Sequence, residues 1–404
     1  MRLAYISRLN FPDPAANAGQ TLQMAAALAG QAQRAALFVH DSSLPAAELE
    51  RQYGLEGRRL ELWPLHTRRW PAWLYNQGFF RFLAYNSGVA LTLGLHPRWR
   101  RAAPLKVLFV RSRLETLYWG LARPYLWWLR DWLFVCELHD LPPHAPGERG
   151  LEARRLHRMR RALANYDLVL AVTRSLAEDA RRLGEGRVDP VVAPLCSGLP
   201  RLTAPPPPPA PGECIRLGYT GALDRAHGLP DLLQAVKLLP EGFVLRLVGR
   251  VREDLRLELE VAAAAGRLEL VPHLPYAQIA AEIDACHFAL APAGDGVHST
   301  RYRSPLKIFD YLARGKPILA ADVPAHRELL QEGRQALFYR PGDPRDLAQK
   351  ILALAADPGR ARALAAGAWE LSEGHTYEAR ARSLARLFEQ AQARRRAGVR
   401  GRGA

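Results

Sequence analysis

In the segment SPLKIFDYLARGKPILA, Ser304 to Ala320, a serine and a proline precede an apolar helical pattern, Lys307 stands one turn before Asp310, and a short strand pattern follows at once. Ser304 suits an N-cap and Pro305 the first helical turn, so a helix is expected to begin here with unpaired backbone N–H groups that can receive an anion. The Asp310 carboxylate can accept two hydrogen bonds from a vicinal diol such as that of a ribose. A plain ion pair between Lys307 and Asp310 on the helix surface is the competing reading.

Three other segments carry residues of similar promise. In CELHDLPPH, Glu137, His139 and Asp140 follow an apolar strand and so fall at its carboxyl end, where α/β sheets bind ligands; a structural histidine is the alternative. In PDPAANAGQTLQMAAALA, Gly19 is expected in a loop between the first strand and a helix, where a glycine lets backbone approach a phosphate closely. In LGYTGALDRAHGLPDLLQAV, Gly221 closes a strand and Arg225 lies in the following turn, where its guanidinium could grip phosphate in two places or merely decorate the turn.

The elements that must position these residues alternate between short apolar runs and amphipathic stretches, twice over, the pattern of parallel sheets covered by helices on both faces. Candidate strands are Leu3 to Ile6, Ala35 to Val39, Leu60 to Trp63, Val107 to Val110, Leu133 to Glu137, Leu168 to Val172 and Pro190 to Ala193, then Ile215 to Tyr219, Val244 to Val248, Leu268 to Val271, Phe288 to Ala291, Pro317 to Ala320 and Ala336 to Tyr339. The 404 residues exceed what one core usually serves. Two α/β domains are expected, 1–200 and 214–375, joined by a stiff linker at 201–213 whose five prolines, Pro205 to Pro209, cannot join a sheet ladder. A helix at 376–393 is expected to return to the first domain, and the basic stretch 394–404 to be an unstructured tail.

Composition narrows the classes of function. No apolar run approaches the roughly 18 to 20 residues of a membrane span, and the chain opens directly on a strand pattern without an export leader. Cys136, Cys196, Cys214 and Cys286 show neither disulfide nor metal-ligand spacing and are expected to be buried thiols of a reducing, cytoplasmic protein. The formal charge of +16 favours an anionic partner, but no nucleic-acid recognition module accompanies it, so nucleic acid is disfavoured. Between Trp70 and Arg101, rings alternate with arginines, a mixture that suits either the face of an anionic membrane or an ordinary core helix.

The segment Ser304 to Ala320 resembles the donor-binding segment of family 4 retaining glycosyltransferases, which have the GT-B fold: two Rossmann-like domains facing a cleft. The resemblance implies a nucleoside diphosphate sugar as donor, a hexose as the transferred group and no metal or other cofactor. It further implies a glycan or lipid-linked acceptor in envelope polysaccharide or glycolipid synthesis, and a cytoplasmic or peripheral membrane enzyme. An epimerase or hydrolase on the same fold, or a non-catalytic nucleotide-sugar-binding partner, are the rival functions. Asp310 stands where the family has the ribose-binding acid, while Tyr302 stands where the family has a second acid, eight positions earlier, for the sugar. Ala222 and His227 replace the Arg and Lys that hold the diphosphate in the family, leaving Arg225 as the substitute cation. His139 matches the family histidine that holds the transferred sugar or acceptor. By the same resemblance Gly19, Gly221, Arg225, His227, Ser304, Lys307 and Asp310 form the donor site. Arg8, Asn17, Gln20, Asp295, Ser299 and Thr300 are expected to meet the sugar or the acceptor.

Overall fold

The computed structural model describes residues 1–11, 16–42, 48, 51, 59–65, 78–142, 151–264, 266–294, 298–302 and 304–400. The chain divides into two compact units, Met1–Ala193 with Tyr377–Ala404, and Pro194–Thr376.

The first unit is built on strands β1 (Arg2–Ile6), β3 (Arg34–Val39), β5 (Leu60–Pro64), β6 (Lys106–Val110), β7 (Trp132–Leu138), β8 (Leu168–Ala171) and β9 (Val191–Val192), with a separate short pair formed by β2 (Asn10–Phe11) and β4 (Asp41–Ser42). The seven strands form one parallel sheet in the order β5-β3-β1-β6-β7-β8-β9. β6 and β7 are buried along their whole length, as expected of strands covered on both faces. The strand order reverses between β1 and β6, so the crevice at their carboxyl ends is where ligands bind in such a sheet.

The second unit repeats the plan with β10 (Ile215–Thr220), β11 (Phe243–Val248), β12 (Leu268–Val271), β13 (Phe288–Ala291), β14 (Ile318–Ala321) and β15 (Ala336–Tyr339). Their order, β12-β11-β10-β13-β14-β15, puts the reversal between β10 and β13. Its core joins Leu217, Leu245, Phe288, Leu319 and Leu337 from the sheet to Leu229, Leu232, Leu347 and Ile351 from the helices Leu229–Leu238 and Pro344–Ala355.

The boundary at Ala193 corrects the linker reading of residues 201–213, because the proline run lies inside the second unit. Trp369 donates its indole N–H to the Leu202 carbonyl at 2.8 Å, Arg201 stacks 3.8 Å from the Trp369 ring, and a Cβ at Gly315 would meet Pro206 at 3.0 Å. A run that cannot pair in a sheet is thus used as a strap packed on two helices, Leu306–Ala313 and Pro358–Ser372.

The terminal helix is longer than its sequence reading, Tyr377–Arg400. Within the first unit it packs on the helix Ala16–Ala29, and Phe388 meets Phe109 at a ring distance of 5.9 Å. Residues 394–400 are helical rather than an unstructured tail, because their arginines find acceptors: Arg395 donates to the Trp132 carbonyl at 2.6 Å and Arg396 to that of Pro104 at 2.8 Å. Residues 401–404 lie outside the described residues. Among the described residues, no helix is long and apolar enough to cross a membrane.

Candidate functional site

In the second unit the chemistry gathers at the carboxyl ends of β10, β11 and β13. Gly221 follows β10 with φ 140°, and a Cβ on Gly249, which follows β11 with φ 153°, would lie 1.8 Å from the Gly221 carbonyl oxygen. The two turns touch backbone to backbone, which only glycine permits here. Gly294 after β13 is bound in the same way, since a Cβ there would lie 1.8 Å from the Ala226 carbonyl oxygen. These contacts hold the turn carrying Arg225 and His227 against the end of the sheet.

The helix Leu306–Ala313 crosses this edge. Its start corrects the expected cap. Pro305 occupies the capping position without a side-chain hydrogen bond, and the Ser304 hydroxyl accepts instead from the Leu195 N–H at 3.3 Å. The Lys307 ammonium lies 3.9 Å from the Tyr219 ring centre and 3.4 Å from where a Gly221 Cβ would stand, so it is directed to the glycine turn and not to Asp310. One residue beyond Asp310, the buried Tyr311 hydroxyl accepts from the Thr220 N–H at 3.0 Å and locks the helix to the end of β10. The two cations of ARGK serve the fold: Arg314 pairs with Asp284, and Lys316 donates to the carbonyls of Asp284 and Cys286 at 3.0 and 2.7 Å.

Asp310 is 6 % exposed, and its Oδ1 receives the hydroxyls of Ser197 at 2.6 Å and Tyr276 at 2.7 Å. Each hydroxyl also accepts a backbone N–H, Ser197 from Leu199 and Tyr276 from Gly198, so both hydroxyl protons are left to point at the carboxylate. Oδ2 accepts from no described residue, and no described cation pairs with this carboxylate. Burial pushes the Asp310 carboxyl up to about 6, against the pull of the two hydroxyl donors. The ion-pair reading of Lys307 and Asp310 therefore fails, and the helix carries an ionisable group at a cost in stability. Sequence reasoning missed Ser197 and Tyr276 because neither lies within thirty residues of Asp310 along the chain.

His227 sits 2.5 Å from the Asp224 carboxylate through Nδ1, and Arg225 is exposed beside it. His298–Tyr302 forms one turn of π-helix, in which Thr300 is half-buried. Asp295 and the Ser299 side chain lie outside the described residues.

In the first unit the corresponding edge gathers Glu137 at the end of β7, His139 just beyond it, and Arg111 after β6. Arg111 donates to Gln20 Oε1 at 2.8 Å and Thr21 Oγ1 at 3.0 Å, and its Nε lies 2.9 Å from His139 Nε2. Burial and the Arg111 charge lower the His139 pKa, so the ring is neutral near pH 7. Glu137 is fully buried; burial alone would raise its carboxyl, but Arg380, the His139 hydrogen bond and Arg111 hold it well below the usual range. Arg111 and Arg380 carried no signal in the sequence, since what singles them out is burial beside one glutamate.

Other expected contacts fall differently. Gly19 is in the first turn of the helix Ala16–Ala29 rather than in a loop, since the helix begins three residues earlier. The Asn17 side chain lies outside the described residues. Arg8 pairs at 3.5 Å with Glu115, whose buried carboxyl is raised by desolvation, and stacks on Phe82. Asp140 pairs with Arg113. Cys136, Cys196 and Cys286 are buried thiols, while Cys214 is exposed.

Residues 225–386 match the family model described as glycosyl transferase-like. No curated protein matches the chain. Among solved structures, the fold is similar to Anabaena HepE in complex with UDP, with TM-score 0.67 and 15 % identity over 96 % of this chain and 100 % of that one. It is similar also to the sucrose-phosphate synthase of Thermosynechococcus elongatus, with TM-score 0.69 and 18 % identity over 97 % and 99 % of the two chains. The lipopolysaccharide outer core galactosyltransferase WaaB in its apo form gives TM-score 0.65 and 13 % identity over 95 % and 98 %. Two parallel α/β units of this kind define the GT-B fold. The glycosyl transferase-like match thus falls on residues 225–386 of a chain whose two units have the GT-B fold.

The Asp310 carboxyl generates a test of its own. Between about pH 4 and pH 6 the folded chain keeps a proton there that the unfolded chain has released, so this group lowers stability as pH rises, by on the order of 3 kcal/mol above that window. Asp310→Asn keeps an acceptor for both hydroxyls and removes the charge. Its melting temperature should equal or exceed that of the natural chain at pH 8, with the gain vanishing at pH 4. A variant melting several degrees lower at pH 8 would show that the charge is compensated by a group outside the described residues.

Proposed function

We propose that the chain transfers a hexose from a nucleoside diphosphate sugar to an acceptor hydroxyl with retention at the anomeric carbon, in the synthesis of an envelope polysaccharide or glycolipid. The observation that carries the donor assignment is Asp310: a buried carboxylate oriented by two hydroxyls and, among the described residues, without a cation and with Oδ2 left to accept. A ribose diol supplies the donors such a group lacks. Lys307 beside Gly221, with Arg225 and His227 in the next turn, fits a diphosphate on the same edge. The charge that grows on the leaving diphosphate as the glycosidic bond breaks would be met by Lys307 and Arg225 and by N–H groups of His227 and of the glycine turn. His139, neutral, would hold a hydroxyl of the sugar or acceptor.

The structurally similar Anabaena HepE has been solved with UDP and with UDP-glucose, which makes uridine diphosphate sugars the first donors to test. A thermal-shift panel of UDP-, GDP- and ADP-sugars should single out one nucleotide, and Asp310→Asn should weaken the best binder by at least about tenfold. The anomeric configuration of the product, read by NMR, decides retention. Donor consumption with no acceptor bond formed, or an altered free sugar nucleotide, would point to the hydrolase or epimerase reading. Donor binding without any turnover would point to a non-catalytic binding partner.

The helix Gly78–Leu95 divides between two roles. Tyr85, Val89, Ala90 and Leu93 face the core, while Phe79, Phe80, Leu91 and Leu95 are exposed. Trp128 donates to the Ala90 carbonyl, which sets the neighbouring turn against this helix, and that turn exposes Tyr125 and Trp127 by 77 % and 73 %. Arg98, Arg100, Arg101 and Arg130 are exposed nearby in sequence. Rings and aliphatic groups beside guanidinium groups fit an anionic lipid surface, which supports a lipid-linked acceptor and peripheral membrane attachment. The chain should float with phosphatidylglycerol vesicles and not with phosphatidylcholine vesicles, and Tyr125→Ser with Trp127→Ser should reduce flotation. Equal recovery in the soluble fraction with both lipids would contradict the assignment.

A further inference from the structure

His139 Nε2 lies 2.8 Å from Glu137 Oε1 and 2.9 Å from Arg111 Nε. One ring nitrogen cannot serve both. If Nε2 accepted from Arg111, its lone pair would face a carboxylate oxygen at hydrogen-bond distance, which is repulsive. If Nε2 carries the proton, it donates to Glu137, and the Arg111 Nε–H must turn from the ring toward the same carboxylate oxygen, 3.6 Å from Nε. The second arrangement costs the Arg111–His139 contact, but it gives the buried carboxylate a donor at 2.8 Å where the first gives it a lone pair. The ring is then the Nε2–H tautomer, and Nδ1, which makes no hydrogen bond to a described residue, is an acceptor on a side chain 28 % exposed.

This choice depends on Glu137 staying ionised and in place. Glu137 is 1 % exposed, and its Oε2 is held by Arg380 Nη2 at 2.5 Å. Arg380 is itself fixed: Nη2 also donates to the Ala193 carbonyl at 3.1 Å, and Nη1 lies 3.1 Å from Met24 Sδ. The remaining titratable groups facing this cluster are Tyr5 on β1 and Cys136 on β7, whose buried hydroxyl and thiol are pushed up and stay neutral. Arg380 lies on the terminal helix, 243 positions from the glutamate it holds.

We propose that Arg380 is a positioning residue for the transfer reaction: by fixing the Glu137 carboxylate it sets the His139 tautomer, so that Nδ1 presents a lone pair to a hydroxyl of the transferred sugar or the acceptor. The inference rests on the reading of His139 given above. It makes the last helix part of the site in the first unit, and it explains why an arginine is buried there. An apolar side chain would fill the space but leave Glu137 with a weaker hold.

The test uses the full chain labelled with 15N-histidine, the His139 signals being assigned by their loss in His139→Gln. The natural chain should show the Nε2–H pattern at pH 7.5. Arg380→Met should show a mixture of tautomers, and its turnover, measured as UDP release from UDP-glucose, should fall roughly 10- to 100-fold with donor KM within about twofold. Arg380→Lys, which restores a cation toward Glu137, should recover the Nε2–H pattern and part of the turnover. An Nδ1–H pattern in the natural chain overturns the proposal, and this arm needs no variant to fold. A folded Arg380→Met with unchanged tautomer and turnover also overturns it. The underlying reading is tested separately by His139→Ala, where full turnover would remove His139 from the reaction whatever Arg380 does to its tautomer.

Discussion

The carboxylate of Asp310 is taken out of water and given two hydroxyl donors but, among the described residues, no counter-charge, and much of the second unit is arranged around that fact. Ser197 and Tyr276 can point their protons at it only because backbone N–H groups of Leu199 and Gly198 occupy the other side of each oxygen. The helix that carries it is fixed by Tyr311 to the end of β10 and lies over the proline strap held by Trp369. A buried charge without a partner destabilises a fold, and proteins keep such groups where binding supplies what folding withholds. A diol at Oδ2 would do so here. The rest of the edge follows the same logic, with glycine turns at Gly221 and Gly249 bringing backbone close together and leaving Lys307 above them.

The first unit solves a related problem with opposite means. Glu137 is buried as deeply as Asp310, but it is surrounded by Arg380, Arg111 and His139 and its carboxyl is held low. Asp310 keeps a spare acceptor, whereas Glu137 uses both oxygens to hold other groups. Both carboxylates lie near the carboxyl ends of parallel strands, close to the point where the strand order of each sheet reverses. The fold supplies the crevice and the buried residues set its chemistry.

Much of this was legible in the sequence, and the limits have physical causes. Doubly covered parallel strands read as short continuous apolar runs, so the seven strands of one sheet and the six of the other stand out. The pair β2 and β4, two residues each, is too short to leave a pattern. His139 and Asp310 were visible because each follows an apolar stretch at a fixed offset. Ser197, Tyr276, Arg111 and Arg380 were not, since their roles arise from contacts across the fold that no local spacing encodes. Ser304 failed as a helix cap because a more distant donor, the Leu195 N–H, claims its hydroxyl. The proline run was read as a linker from its composition and its place between two βα patterns, while a tryptophan 167 positions beyond Leu202 decides where it lies.

If Asp310 is held partly protonated by burial and receives a ribose diol when the donor binds, binding must favour its ionised form and expel a proton. Calorimetry of UDP-glucose binding at pH 6, in buffers of different ionisation enthalpy, measures that proton directly. The sugar nucleotide itself does not titrate there, so the natural chain should release a fraction of a proton at pH 6 and almost none at pH 8, and Asp310→Asn should release none at either pH. Binding of equal strength with no proton released at pH 6, or the same release from Asp310→Asn, would contradict the assignment of Asp310 to the donor.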